Sequence, residues 1–198
     1  MDGDLNRAAL LRPEGLRLAG RVSHCVPFGE GHLRDPVYLS WLRDRDVVRT
    51  IGRPDYMAAP VDFATVEKYF AQMKDSSGDL FLALYHTANG RFVGTLKAGH
   101  IDWHQGNADI GIMIGDKEYW GRGLATDAIR TLALHLYNVL GLRRLTAGSM
   151  SINPAMIAVF ENLGFRREGV LREHLRHENG FCDHVLLGCF RNELRLSR

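Results

Sequence analysis

The chain has 198 residues, 45% of them hydrophobic, enough for one domain whose ordinary core needs neither disulfides nor a metal. Its formal net charge of +2 is too small to imply a nucleic-acid partner, and no run reaches the roughly 20 apolar residues of a membrane helix. Three cysteines, Cys25, Cys182 and Cys189, form no C-x-x-C pair, so neither a disulfide framework nor a zinc site is expected.

Residues 1–198 read as a single domain, with residues 1–13 expected to fray. Met1 to Leu5 starts acidic and reaches no apolar run, so a secretory signal is not expected, and the cysteine pattern leads us to expect a reducing cytoplasm as the setting. Residues 15 to 28 predict a first strand through Leu16, Leu18, Val22 and Val26, ended by Pro27 and Gly29. Tyr38, Leu39, Trp41 and Leu42 give helical spacing over 34 to 44, and Asp62 or Thr65 can cap a second helix to about Lys74.

Two strands follow, Leu80 to His86 and Arg91 to Ile101, joined by an Asn89-Gly90 hairpin signal; a third runs from Ala108 to Ile114. From Gly121 to Leu140, Ala125, Ile129, Leu132, Leu136 and Leu140 mark an amphipathic helix stopped by Gly141. A strand at Arg144 to Ser149, a helix from Asn153-Pro154 to Leu163, and strands near Phe165 to Arg176 and Phe181 to Phe190 complete the chain. The class is α+β, a mixed, mostly antiparallel sheet of about seven strands flanked by about four helices.

The strand-turn-helix from Ile110 to Leu140 carries Gly121 and Gly123 where the helix begins. Glycines there let backbone N–H groups approach an anion, and the helix N-terminus adds unsatisfied donors and a partial positive charge. A tight structural turn would use the same residues. Gly123 is followed by Leu124-Ala125, which lacks the lysine and hydroxyl of a Walker loop, and G-x-G-x-x-G spacing is also missing.

Trp120-Gly121-Arg122-Gly123-Leu124-Ala125 resembles motif A of the GNAT acetyltransferases, with Trp120 in the Gln/Arg place, as in the branch resembling RimJ and RimL. Ile112 to Lys117 and Thr126-Asp127-Ala128 look like the same branch. Asn153 to Met156 with Phe160 to Phe165 resembles motif B, and the resemblance covers about residues 14 to 193. It implies a GNAT-like fold that moves an acetyl group from acetyl-CoA, a co-substrate, to a primary amine without a metal. It also implies that Trp120, Gly121, Arg122, Gly123, Leu124, Ala125 and Thr126 hold the pyrophosphate. The backbone of Ile112, Met113 and Ile114 would then pair with the acyl-pantetheine arm, with Asn153 and Phe160 touching the cofactor.

Strand alternation sets Asp109, Gly111 and Met113 opposite the isoleucine face, where related enzymes often carry a Glu, so Asp109 is a candidate base or substrate-binding residue. His100, Asp102 and His104 share a face if the strand stays regular, which makes the histidines candidate proton relays. An exposed hairpin carries such residues too. The motif-B positions that often hold a Ser or Tyr proton donor are Met156 and Phe160 here, leaving Ser149, Ser151 or water.

Trp41, Arg43, Arg45, Arg49, Arg53, Tyr56 and His174 are candidate acceptor-site residues, and arginines there can hold a phosphate or carboxylate. A small-molecule amine such as an amino sugar is the preferred acceptor. A protein N-terminus, or a non-catalytic acyl-CoA-binding domain, remains open. The resemblance also allows a homodimer, with Cys182 to Phe190 as a candidate edge.

Overall fold

The computed structural model describes residues 7, 9–178 and 180–196. Residues 1–6 and 8, part of the stretch expected to fray, lie outside them. Leu11 is fully buried in the core and the Arg12 guanidinium donates to the carbonyls of Met73, Ser76 and Asp79, so this part of the stretch is held.

The predicted first strand is a hairpin, β1 (Leu18–Ala19) and β2 (Ser23–Pro27). Its turn folds back because the Asp127 carboxylate accepts from the amides of Arg21, Val22 and Ser23 and from the Ser23 hydroxyl, at 2.8 to 3.1 Å. A side chain at Gly20 would collide with that carboxylate, since a Cβ there lies 2.3 Å from Asp127 Oδ2. The predicted helix over 34 to 44 is α2 (Pro36–Arg43), and a separate short helix, α1 (Glu30–Arg34), precedes it. Pro36 offers no amide to continue α1, and Asp35 caps α2 by accepting from Val37 N at 2.9 Å. Two short helices that the sequence pattern does not announce follow, α3 (Arg45–Val48) and α4 (Pro54–Ala58). α5 (Phe63–Lys74) is capped by Asp62, which accepts from Thr65 N at 2.8 Å.

The strands β3 (Leu80–His86), β4 (Arg91–Asp102) and β5 (Asn107–Ile114) form the expected antiparallel meander. After α6 (Leu124–Asn138) come β6 (Arg144–Met150), α7 (Pro154–Leu163), β7 (Arg166–His177) and β8 (Gly180–Phe190). The eight strands pair in the order β1-β2-β3-β4-β5-β6-β8-β7, with β5 and β6 parallel and the other neighbours antiparallel. β8 therefore lies inside the sheet, and Cys182 to Phe190 is not the edge that the resemblance allowed. The alternation explains the swap: Val185, Leu187 and Cys189 of β8 are buried, whereas β7 carries exposed Arg166, Arg167, Glu168 and Arg172 and takes the edge.

Each face of the sheet has its own core. Leu82, Leu96, Ile110 and Leu145 meet Ile129, Leu132 and Leu136 of α6 and Phe160 of α7 on one side. Phe81 and Ala83 meet Tyr38, Trp41 and Phe70 of α2 and α5 on the other. Full burial of one such side chain is worth about 1.5–3 kcal/mol, so these stripes, rather than local propensity, hold the helices against the sheet. No helix among the described residues is long and apolar enough to cross a membrane.

Candidate active site

The parallel pair at the centre of the sheet comes apart. Asn107, Ala108 and Asp109 pair with Arg144, Leu145 and Thr146, and the pairing stops there although β5 runs on to Ile114 and β6 to Met150. Beyond this point the β5 backbone edge that faces β6 has no strand partner among the described residues. A cleft of about 590 Å³ occupies the gap. Gly111, Ile112 and Met113 line it on one side and Ala147, Gly148 and Ser149 on the other, with Asn153, Met156 and Phe160 of α7 behind. The segment from Thr50 to Arg53, together with Tyr56 and Tyr69, covers it from the face of the α2 and α5 helices.

Asp109 sits where the two strands part. Its Oδ1 accepts from Thr146 Oγ1 at 2.9 Å. Burial pushes its carboxyl above the usual carboxylate range, against the Thr146 hydrogen bond and the electrostatic pull of His100, Lys97 and His184. Isoleucine alternation positions it, since Ala108 and Ile110 are buried on the α6 face and leave Asp109 on the cleft face.

His184 enters the same cleft from β8. Its backbone stands opposite Met150, and its ring lies across β6 over Gly148, where an added Cβ would fall 2.1 Å from Nε2. Only a residue without a side chain admits the ring there. Burial, then the charge of His174 stacked 5.8 Å away, lowers its pKa, while Asp109 pulls the other way. Near neutrality this imidazole is uncharged and can accept a proton.

After β5 the chain passes through a short helical turn and starts α6 at Gly121-Arg122-Gly123, a segment that is not among the residues lining the cleft. Gly121 and Gly123 have φ of 71° and 78°, and a Cβ on either would meet nothing within 4 Å. Gly123 is the N-cap of a 15-residue helix and supplies no side-chain hydrogen bond, so the first N–H groups of α6 open onto free space. Free helix N–H groups beside open space are the chemistry that suits an anion.

A family model for the acetyltransferase (GNAT) domain matches residues 27–166. The chain belongs to the GNAT acetyltransferases. It is similar to an uncharacterized N-acetyltransferase, p20, of Bacillus licheniformis, 29% identical over 51% of this chain, and it spans only 56% of that relative's length. A probable N-acetyltransferase of Bacillus subtilis (strain 168), YjcK, is 26% identical over 64% of this chain and 73% of its own. Among solved structures, spermidine N-acetyltransferase from Vibrio cholerae, in complex with CoA and spermine, shares the fold with TM-score 0.76 at 17% identity, covering 86% of this chain and 96% of that one. RimL, a ribosomal L7/L12 alpha-N-protein acetyltransferase in complex with coenzyme A, gives 0.75 at 15% identity over 88% and 98%.

Within this GNAT framework the cleft brings Asp109, Ile112, Met113, Asn153 and Phe160 together. Ile114 is different, because its carbonyl accepts from the Trp120 indole N–H at 2.8 Å and is already engaged. Trp120, Gly121, Arg122 and Gly123 are exposed at the turn, and Ala125 and Thr126 follow half-buried on the first turn of α6. The Leu124 side chain is buried in the core, so this residue can offer an anion only its backbone. Asn153 caps α7, accepting from Met156 N at 3.1 Å, and Phe160 packs 5.0 Å from the Phe165 ring while one side faces the cleft.

His100 and His104 do not join Asp109 in the cleft lining. The regular alternation they required fails: the β4–β5 register shifts between Gly99 and Asp102, and His100 takes a φ of 52°. His104 lies in the exposed turn, where its amide donates to Asp102 Oδ1 at 2.9 Å. Trp41 is buried in the helical core and Arg43 donates to Val61 O at 2.7 Å, so neither lines the cleft, whereas Arg53 and Tyr56 do. Ser149 is buried in the cleft wall; Ser151 is exposed and accepts from Asp183 N at 3.2 Å.

Sequence reasoning missed His184 and Thr146. Gly148 inside an otherwise regular strand signals a close approach, but it does not say which side chain approaches.

Proposed function

We propose that this chain transfers the acetyl group of acetyl-CoA to the primary amine of a small molecule, in the manner of the RimJ/RimL-like branch. The observation that carries the reading is the parted β5–β6 pair, with Asp109 and His184 facing the gap; the start of α6 without a side-chain cap, which follows β5 in the chain, supports it. Acetyl-CoA supplies an activated acyl carbon in its thioester, open to direct attack by an amine.

The residues divide the work. The amides at the start of α6 and the Gly121–Gly123 turn take the pyrophosphate, and the free edge of β5 at Ile112 and Met113 lines the path of the arm. A backbone N–H on that edge meets the oxygen on which charge develops. Asp109 and His184 take the proton that the amine loses. An amine of pKa near 10.4 costs roughly 4 to 5 kcal/mol to deprotonate at pH 7, so such a pair matters most for that class. Met156 and Phe160 donate no proton, and Ser149 is one of the hydroxyl-bearing residues lining the cleft that can serve the departing sulfur.

The cover formed by Thr50 to Arg53 and Tyr56 supports a small acceptor, because a folded protein's terminus needs an open approach. A polyamine like that of the Vibrio cholerae enzyme is a poor match to a wall that carries Arg53 and Lys97. Thiol release from acetyl-CoA with amino sugars, spermidine and a peptide with a free α-amino group tests the reading. Release with amino sugars is expected. Release with the peptide alone overturns the small-molecule acceptor, and tight acetyl-CoA binding without release to any amine overturns catalysis.

A further inference from the structure

Beside the cleft lies a second cavity of about 220 Å³, bounded by α3, α4 and the end of β7. Gly52, Arg53 and Met150 line both, so the two adjoin. The wall of the second carries Arg45, Arg49, Arg53, Arg176 and His177, and the carboxylate among its described lining residues is Glu178.

The charges in it are poorly balanced. Arg53 is held by Asp55, through Nε to Oδ1 at 2.9 Å and Nη2 to Oδ2 at 2.6 Å, and lies over the Tyr56 ring at 4.3 Å. Arg45 meets Glu178 at 3.7 Å in a pair whose side chains are 71% and 49% exposed, a contact that an incoming anion can displace. Arg176 lies 5.1 Å over the Phe181 ring, and neither it nor Arg49 has a carboxylate partner among the described residues. Guanidinium groups gathered on one concave wall repel each other, and they present forked donors that match a phosphate or a carboxylate in two-point geometry.

We propose that this cavity binds the anionic end, a phosphate or carboxylate, of the acceptor whose amine lies in the cleft beside Asp109. The inference rests on the acetyl-transfer reading and narrows its substrate class. The amine and the anion belong to one molecule that spans the boundary at Gly52, Arg53 and Met150. A polycationic acceptor would put its charges against unpaired arginines.

Calorimetric titration into the protein saturated with CoA, so that the cofactor's own phosphates do not compete, tests this. The probes are matched pairs with one amine: glucosamine with glucosamine 6-phosphate, and butylamine with 4-aminobutanoate. In at least one pair the anionic member is expected to bind about tenfold more tightly, and Arg49→Ala/Arg176→Ala is expected to bring that ratio to about one. The pair that responds identifies phosphate or carboxylate.

Equal affinity within both pairs overturns the inference, as does a preference that survives the double variant. Both arginines are exposed, so the variant is expected to keep the wild-type fold, and a thermal melt checks this. Thiol release from acetyl-CoA, measured with the same amines, separates the two claims. Turnover without an anion preference sinks only the anion site, and an anion preference without turnover sinks acetyl transfer while the anion site stands.

Discussion

The strands β5 and β6 that part around the cleft, with the start of α6 that follows β5 in the chain, offer mainly backbone: a parted strand edge, two glycines and the open end of a helix. The opposite side, made by the segment from Thr50 to Tyr56 and the ends of β7 and β8, offers side chains: arginines, tyrosines and His184. A backbone-built wall binds whatever matches peptide geometry and tolerates changes of side chain, whereas a side-chain wall can be rewritten residue by residue without disturbing the sheet. The first suits an unvarying donor and the second a selected acceptor.

Substitutions on each side should therefore fail in different ways. Asp109→Asn keeps the size of the side chain and removes the carboxylate, and kcat is expected to drop about a thousandfold. Its pH profile carries the sign. Burial raises the Asp109 carboxyl and lowers the His184 imidazole, so in the wild type kcat/KM should rise with pH through an acid limb that belongs to the pair and lies above the range of an ordinary carboxylate. Without the carboxylate, His184 loses the charge that favours its protonated form, and the limb should move to lower pH. A limb that stays in place assigns the base elsewhere.

Asp127→Ala strips the β1–β2 turn of its acceptor and leaves buried donors unmatched, a loss of about 3 kcal/mol in a urea melt at pH 7. Burial by itself would raise the Asp127 pKa, but the hydrogen bonds from Val22, Ser23 and Arg21 outweigh it and hold the folded value below the usual one. The stabilisation is therefore full above about pH 4 and drains away as pH falls through the lower folded value. A wild-type acid melt that Asp127→Asn leaves unchanged would contradict this.

Gly123→Val forces a β-branched residue to a φ of 78° and fills the space before α6. The dissociation constant of acetyl-CoA, followed by calorimetry, should rise about a hundredfold. Gly148→Ala pushes the His184 ring from its place, and the expected cost is about tenfold in kcat, with a smaller change in acetyl-CoA affinity. If both glycine variants weaken acetyl-CoA binding equally, the two walls are not functionally distinct. Trp120→Phe removes the indole hydrogen bond to Ile114 and should cost about 1 kcal/mol, roughly fivefold in acetyl-CoA affinity.

This division also explains what could be read from the residues. The backbone wall writes itself in glycines and periodicity: Gly121 and Gly123 before a long amphipathic stripe, and isoleucines alternating along β5 from Ile110, with Asp109 just before the first of them. The β1–β2 hairpin was hidden because its cause, Asp127, lies more than a hundred residues away along the chain. His100 and His104 were misplaced by assuming a regular strand through Gly99, where the register shifts. His184 left almost no trace, because nothing local says that β8 will run between β6 and β7 and carry a ring over Gly148. The second cavity was only half visible, since Arg45, Arg49 and Arg53 are near one another in the chain but Arg176 reaches them only when the sheet closes.

The measurement that bears most directly on the two-walled cleft is a crystal structure of the chain grown with CoA. The pyrophosphate is expected within about 2.7–3.2 Å of the first amides of α6, with the thiol between β5 and β6 beside Asp109 and His184. A pyrophosphate seated instead among Arg45, Arg49 and Arg176 would contradict the account, because the donor and acceptor walls would then be reversed.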